Sequence, residues 1–270
     1  MSLPSRLTRN HLPRTPMPRL DYVHGAPGDA DLVIVAHGGQ ENSYARAHAH
    51  RPAALRMWPF VRAAHRGAPG AAVALVRYRY RGWNGDSSHP LEDLRAVLDA
   101  LPTSVRRIVL VGHSMGGRTV VQCADDARVS GVLALAPWLP DTDPTPVPAR
   151  PTESLIVTAH GTHDSVTSPR ATSKFVRRLR ESGVPAAEFL VHDDGHPLLE
   201  RHGDWDELVR RFVATAADTD PEPVLLGART ADPAHEPDAL PSWSAERGTA
   251  RAALSIARTR LKLSDRRSIV

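Results

Sequence analysis

The chain has a single cysteine and no long apolar segment. Cys123 cannot form a disulfide within the chain, and its position in a helix-compatible run predicts a buried structural thiol. No apolar run approaches the roughly 18 residues of a membrane span. The first residues include Arg6 and Arg9 but lack the apolar segment, about 7 to 15 residues long, of a secretory signal peptide. We therefore expect a cytoplasmic protein with no membrane span.

An excess of positive charge is also missing from most of the chain, although the net charge is +4. From Arg247 to the C-terminus there are seven Lys and Arg residues against one acid, Asp265, a balance of +6. The remaining chain holds 34 − 7 = 27 basic and 30 − 1 = 29 acidic residues, a balance of −2. Since the body carries no basic surplus, we predict no nucleic-acid partner.

The length of 270 residues suits one α/β domain with additional terminal segments. Residues 1–20 contain four prolines and no apolar periodicity, which predicts a disordered leader. A proline-rich linker is predicted over 218–245, and residues 248–263 are compatible with a short basic helix in a solvated tail. The predicted organisation is therefore a leader (1–20), a folded α/β domain (21–217) and a largely disordered linker and tail (218–270).

Short apolar runs alternate with amphipathic segments within 21–217. The runs lack alternating polar residues, which predicts strands of a parallel sheet covered on both faces. They lie at 32–36, 72–76, 108–111, 129–136, 154–159 and 188–191, with helices predicted at 51–65, 90–101, 119–127, 169–182 and 205–213. This order predicts an α/β fold with a mostly parallel sheet of about six strands. Residues 137–152 contain six prolines and little apolar periodicity, so we expect no substantial cap domain.

Ser114 lies in a glycine-rich segment directly after the third of these runs. Residues 112–116 read GHSMG and fit the pattern G-x-S-x-G. Small residues two positions before and after the serine allow a sharp turn from strand to helix that exposes the hydroxyl above the sheet. The pattern alone arises by chance in roughly one chain in ten of this length. The preceding strand and the following helix are what favour a nucleophile.

Further polar residues follow other predicted strands, where parallel α/β sheets collect their ligand chemistry. Asp164 follows the run at 154–159, and His196 lies five residues beyond Val191. A serine hydroxyl needs an imidazole to take its proton, and the imidazole needs a carboxylate to hold its tautomer. The sequence HGGQ at 37–40 follows the run at 32–36.

With GHSMGG at 112–117, HGGQ at 37–40 and the order Ser, Asp, His, the sequence resembles the α/β-hydrolase family. The form GHSMGG is frequent in its small esterase, lipase and acyl-hydrolase members, and the resemblance covers about residues 21–217. It implies Ser114 as nucleophile, Asp164 as triad acid and His196 as base. Backbone N–H groups of Met115 and of Gly39 or Gln40 would then form the oxyanion hole.

Each assignment has alternatives. His192 is the alternative base. Asp193 and Asp194 are rivals of Asp164, but next to the candidate base they fit solvated loop charges better. Candidates for the substrate pocket are His37, Gly38, His113, Trp83 and Trp138. For the two tryptophans, ordinary loop packing is an equally good interpretation, and His37, His113 and His163 also fit local hydrogen-bonding roles.

Histidines and aspartates cluster at 160–164 and 192–196, which raises the question of a metal site. The sequence has no H-E-x-x-H motif and no paired cysteines, and the G-x-x-x-x-G-K pattern of a phosphate loop is also missing. We predict no metal and no cofactor.

The leading functional hypothesis is a serine hydrolase that cleaves a carboxylic ester, or a thioester, of a small accessible substrate through an acyl-enzyme on Ser114. Amide hydrolysis is less favoured. Two alternatives use the same residues differently: a ligand-binding, receptor-like protein without turnover, and perhydrolysis by the same triad. The partner in every case is a small molecule, and the sequence gives no indication of the oligomeric state.

Overall fold

The computed structural model describes residues 17–142, 145–147 and 154–245. Within these ranges, eight strands form one sheet: β1 (Arg19–His24), β2 (Asp31–Ala36), β3 (Ala72–Arg77), β4 (Arg107–His113), β5 (Val129–Leu135), β6 (Leu155–Gly161), β7 (Ala186–Val191) and β8 (Asp238–Ala239). Their order across the sheet is β1-β3-β2-β4-β5-β6-β7-β8. β1 is antiparallel to β3, and every other neighbouring pair is parallel.

Helices cover both faces of the sheet. They are α1 (Pro52–Leu55), α2 (Trp58–Gly67), α3 (His89–Asp99), α4 (Met115–Val121), α5 (Pro169–Glu181), α6 (His202–Ala216) and α7 (Pro223–Ala228), with a short 3-10 turn at Gly85–Ser87. One apolar core lies between the sheet and α2, α6 and α7, and the other between the sheet and α3, α4 and α5. Successive side chains of a strand point to opposite faces of the sheet, so one strand contributes to both cores. In β2, Val33 and Val35 face the first core, and Leu32 and Ile34 face the second.

The strand order reverses between β2 and β4. From β2 the chain passes through α2 to β3 on one side, whereas from β4 it passes through α4 to β5 on the other. Ligand sites of α/β sheets lie in the crevice at such a switch point, beyond the carboxyl ends of the strands. The register aligns these ends, because Ala36 pairs with Gly112, His113 with Leu135, and Gly161 with Val191.

The predicted fold class is confirmed, and the strand count is higher than the predicted six. The two additional strands lie at the edges of the sheet. β1 is half-buried and polar at several positions, so it lacks the continuous apolar run of the central strands. It begins within the predicted leader, of which residues 1–16 lie outside the described residues. β8 has only two residues, too few for any sequence pattern.

Residues 218–245 differ from the predicted linker. They contain α7 and β8, and they bury Leu225, Leu240 and Trp243 in the core shared with α6 and β7. Prolines and polar residues separate these apolar side chains, so each fills its own gap and no periodicity marks the segment. The predicted basic tail at 248–263 lies outside the described residues.

The described residues form no separate cap over the sheet. The connection from β5 to β6 spans residues 136–154, and its described part, 136–142, 145–147 and 154, contains no helix or strand. No helix within the described ranges has both the length and the apolar character needed to cross a membrane.

The packing of α7 can be tested with two adjacent leucines, since Leu225 is 0% exposed and Leu226 is 47% exposed. We expect Leu225→Ala to lower the free energy of unfolding by about 2 to 5 kcal/mol, because it empties a buried site. Leu226→Ala should change it by less than about 0.5 kcal/mol. Equal effects of the two variants in urea denaturation would show that α7 is not docked on the sheet.

Candidate active site

Ser114 occupies a sharp turn between β4 and α4. Its backbone angles are φ 57° and ψ −120°, a conformation with positive φ that is unfavourable for any residue other than glycine. The flanking glycines make the turn possible: a Cβ at Gly112 would lie 2.3 Å from the Gly116 carbonyl oxygen, and one at Gly116 would lie 2.4 Å from that of Ala36. This is the strained turn that the G-x-S-x-G pattern predicts.

Three side chains from three strand ends are connected by hydrogen bonds. Ser114 Oγ lies 3.1 Å from His196 Nε2, and His196 Nδ1 lies 2.8 Å from Asp164 Oδ2. Because the carboxylate can only accept, Nδ1 of the imidazole carries a proton and Nε2 is free to accept the serine proton. The arrangement can therefore activate the hydroxyl of Ser114.

The carboxylate of Asp164 accepts hydrogen bonds from five groups, and this side chain is fully buried. Oδ1 accepts from the backbone N–H groups of Val166 and Thr167, both at 2.8 Å. Oδ2 accepts from His196, from His160 Nε2 at 3.1 Å and from the Thr167 hydroxyl at 2.8 Å. Burial acts to raise the pKa of this carboxyl, but the hydrogen bonds outweigh it and hold the pKa well below its ordinary value.

His160 and Thr167 are absent from the sequence-based site. His160 is buried, and its Nε2 donates to Asp164 because the carboxylate can only accept. Its Nδ1 lies 2.8 Å from the Thr172 hydroxyl. The Thr167 hydroxyl lies 3.1 Å from His196 Nδ1 as well. The spacing of four residues from His160 to Asp164 in HGTHD is the one sequence signal that could have indicated this contact.

The loop after β2 approaches the serine turn closely. A Cβ at Gly38 would lie 3.2 Å from Ser114 Cβ, and one at Gly39 would lie 2.3 Å from the Arg81 carbonyl oxygen. Gln40 is excluded as an oxyanion donor because its N–H is donated to that Arg81 carbonyl, at 2.9 Å. Within the described part of the chain, the N–H groups of Gly39 and Met115 have no intramolecular acceptor.

The histidines considered for the pocket are buried and bind backbone groups. His37 Nδ1 donates to the Gly38 carbonyl at 2.7 Å, and His113 Nε2 donates to the His196 carbonyl at 3.1 Å. Burial, with a smaller effect of the neighbouring His196, lowers the pKa of His113 to about 3, so this imidazole is neutral. His113 thus contacts the backbone of the residue that binds Ser114.

Trp83 and Trp138 enclose a buried arginine. The Arg118 guanidinium carbon lies 4.1 Å from the ring centre of Trp83 and 5.0 Å from that of Trp138. Trp83 is buried, as loop packing requires, whereas Trp138 is half-buried and donates its backbone N–H to the Ser114 carbonyl at 3.0 Å. Of the two, Trp138 lies beside the candidate nucleophile.

The two aspartates before His196 differ from each other. Asp193 is exposed, as expected for a loop charge, and lies 3.8 Å from the exposed His163. Asp194 is fully buried, so its interpretation as a solvated charge is wrong. Its carboxylate can be buried because three N–H groups donate hydrogen bonds to its oxygens. His192, the alternative base, is exposed.

The histidines and aspartates at 160–164 and 192–196 raised the question of a metal site. Among the described residues, no group of three or more His, Cys, Asp and Glu side chains is placed to hold a metal ion. The histidines and aspartates near Ser114 are instead hydrogen-bonded to one another, as described above.

The sequence matches the model of the alpha/beta hydrolase family over residues 22–261. The chain belongs to this family. A comparison with curated protein sequences finds no significant match.

Solved structures share the fold at low sequence identity. An α/β serine hydrolase without lid from Xanthomonas campestris is 20% identical, with 68% of this chain and 81% of that chain covered and a TM-score of 0.50. Est1E from Butyrivibrio proteoclasticus is 16% identical, with coverages of 74% and 93% and a TM-score of 0.51. An α/β serine hydrolase homologue from Coxiella burnetii is 18% identical, with coverages of 71% and 95% and a TM-score of 0.50.

The low pKa of Asp164 makes a prediction for stability. Its pKa in the folded protein is below the ordinary value of 3.8, so on acidification the unfolded chain takes up the proton first. The ionised carboxyl of Asp164 therefore contributes its full stabilisation of the folded state at neutral pH. This contribution is lost progressively as the pH falls below about 5. Asp164→Asn should be less stable than the parent near pH 7, and this difference should shrink as the pH falls from about 5 toward about 2.

Urea denaturation across this pH range measures the difference. Asp193→Asn is the matched control, since Asp193 is exposed, and its effect should stay within about 0.5 kcal/mol. A difference between parent and Asp164→Asn that is independent of pH would contradict the depressed pKa.

Proposed function

We propose that this protein is a serine hydrolase that cleaves a carboxylic ester, or a thioester, of a small accessible substrate. The observation that carries the proposal is the hydrogen-bonded series from Ser114 Oγ through His196 to the buried Asp164. Its order of groups matches the requirement of nucleophilic acyl transfer: nucleophile, base and a carboxylate that holds the base.

In the first half of the reaction, Ser114 Oγ attacks the acyl carbon while His196 Nε2 takes the hydroxyl proton. The carbonyl oxygen becomes an oxyanion, and the N–H groups of Gly39 and Met115 donate to it. Asp164 stabilises the imidazolium through Nδ1. The bond to the leaving group then breaks, His196 returns its proton to the departing alcohol or thiol, and the acyl group stays on Ser114.

In the second half, water replaces the leaving group. His196 takes a proton from the water, whose oxygen attacks the acyl carbon, and the second tetrahedral intermediate forms in the same oxyanion hole. Breakage of the bond to Ser114 Oγ releases the carboxylic acid and returns the proton to the serine. No external reactant other than water is required.

Access to the site favours small or exposed acyl groups. Gly39 and Gln40 on the oxyanion loop are exposed, and the described part of residues 136–154 forms no covering helix. A long acyl chain would therefore find no covering helix in the described part of this connection. Short-chain esters should therefore be the best substrates in a series of increasing acyl length.

A fluorophosphonate probe and a panel of p-nitrophenyl esters and acyl-CoA thioesters test the nucleophile. We expect the parent to form an adduct on Ser114 and to hydrolyse the shortest esters fastest. Ser114→Ala should form no adduct and lose about 10³-fold or more in turnover, because an acyl-enzyme cannot form. Equal hydrolysis by parent and variant would exclude Ser114 as the nucleophile. A folded parent that forms no adduct would favour the non-catalytic, ligand-binding alternative.

A substitution of Gly39 tests whether the loop after β2, residues 37–40, supplies an oxyanion donor. A Cβ at Gly39 would lie 2.3 Å from the Arg81 carbonyl oxygen and 2.4 Å from Met115 Cε, so Gly39→Ala must displace the loop. Loss of one oxyanion donor lowers turnover by about 10² to 10³-fold, and we expect a decrease of this size in kcat with a smaller change in KM.

Gly70→Ala is the matched control for this variant. An added Cβ at Gly70 meets no atom within 4 Å, so activity should remain within about twofold of the parent. A Gly39→Ala variant with the kcat of the parent would rule out Gly39 as an oxyanion donor.

A further inference from the structure

Asp194 connects the loop of His196 to its surroundings. Its Oδ1 accepts the N–H of Gly195 at 2.7 Å, and its Oδ2 accepts the N–H of Arg201 at 2.9 Å and the indole N–H of Trp205 at 2.7 Å. The backbone carbonyl of Asp194 accepts the N–H of His163 at 2.9 Å, which ties this loop to the loop of the acid.

The loop itself is held in a strained conformation. Asp193 and Leu198, on either side of His196, have φ values of 59° and 60°. Non-glycine residues in this left-handed region are strained and persist only where the surrounding contacts hold them. The position of His196 therefore depends on what fixes residues 193–201 from outside.

Arg201 provides such a contact. Its Nε donates to Asp204 Oδ2 at 2.9 Å. Its Nη2 lies 3.2 Å from the Leu240 carbonyl oxygen, 3.1 Å from that of Pro241 and 3.1 Å from Ser242 Oγ. One side chain thus joins the end of the His196 loop to the segment 238–245, which we name the strap.

The strap is firmly seated on the body of the protein. The Leu240 N–H donates to the Leu190 carbonyl at 2.8 Å, and the Ser244 N–H donates to Asp204 Oδ1 at 2.7 Å. Leu240 and Trp243 are buried in the same core as Leu198. The strap therefore offers Arg201 a fixed set of acceptors.

We propose that Arg201 and the strap position His196, so that the segment after the α/β body takes part in the activity without touching the substrate. This rests on the proposed function. When the link is cut, the strained loop relaxes and His196 spends less time in contact with Ser114 and Asp164. Proton transfer slows, whereas substrate contacts stay intact, so kcat falls and KM does not.

Arg201→Met tests the proposal, with Arg210→Met as the matched control. Arg210 lies in α6 and is about as exposed as Arg201. It forms ion pairs with Glu207 and Asp220, and no hydrogen bond or ion pair of its described side chain reaches the strap or the His196 loop. Misplacement of a catalytic group by about 1 Å lowers the rate by up to about 10²-fold. We expect Arg201→Met to lower kcat and the rate of fluorophosphonate labelling by about 10 to 100-fold. Arg210→Met should stay within about twofold.

Hydrogen exchange of the Gly195 and Arg201 amides gives a readout that needs no activity. Exchange should be faster in Arg201→Met than in the parent and unchanged in Arg210→Met. A parent that does not react with the probe would refute the proposed function, while the exchange result would still decide whether the strap holds the loop. Equal losses of kcat in both arginine variants, or parent-like exchange in Arg201→Met, would overturn the proposal.

A second variant reaches the strap without altering Arg201. A Cβ at Gly203 would lie 2.8 Å from Ser244 Cβ, so Gly203→Ala pushes the strap away from α6. Faster exchange at Gly195 and Arg201 is expected here as well. This variant decides the outcome if Arg201→Met does not fold. Exchange of the Gly195 and Arg201 amides at the rate of the parent, in a folded Gly203→Ala, would contradict the proposal.

Discussion

The buried carboxylate of Asp164 is the contact on which the rest of the site depends. It accepts hydrogen bonds from His196, His160, Thr167 and two backbone N–H groups, and these outweigh the effect of burial on its pKa. A charge in this position keeps one proton on Nδ1 of His196 and leaves Nε2 to face Ser114. Since the partners of the carboxylate come from β6, its following loop and the loop after β7, the charge also joins two strand ends.

The parallel sheet supplies the rigidity that this arrangement requires. Aligned carboxyl ends bring the glycine loop after β2, the serine turn after β4 and the loops after β6 and β7 to one edge. Ser114, Asp193 and Leu198 all have left-handed backbone angles. Such conformations are stable only because packed neighbours hold them, and buried groups such as Asp194 and His113 provide the contacts.

The C-terminal part of the described chain belongs to the folded body. Leu225 and Trp243 extend the core over α6 and β7, and residues 240–242 accept hydrogen bonds from Arg201. The family match, which reaches residue 261, is consistent with one continuous unit that extends beyond residue 217. The site at the switch point and the segment at the sheet edge are thus parts of one network.

Local patterns in the sequence were sufficient for the fold class and for the proximity of Ser114, Asp164 and His196. Apolar runs mark buried parallel strands, glycines mark the sharp turn, and polar residues after successive strands must meet because parallel strand ends share an edge. Tertiary structure alone decided the rest. His160 and Thr167 join Asp164, Gln40 donates its N–H to Arg81, and Asp194 is buried, because each of these contacts depends on how neighbouring loops fold against one another. The same holds for residues 218–245, whose apolar side chains fill separate gaps in a surface built by distant segments. Such gaps exist only after the chain has folded, so no apolar periodicity in the sequence can indicate which side chains will fill them.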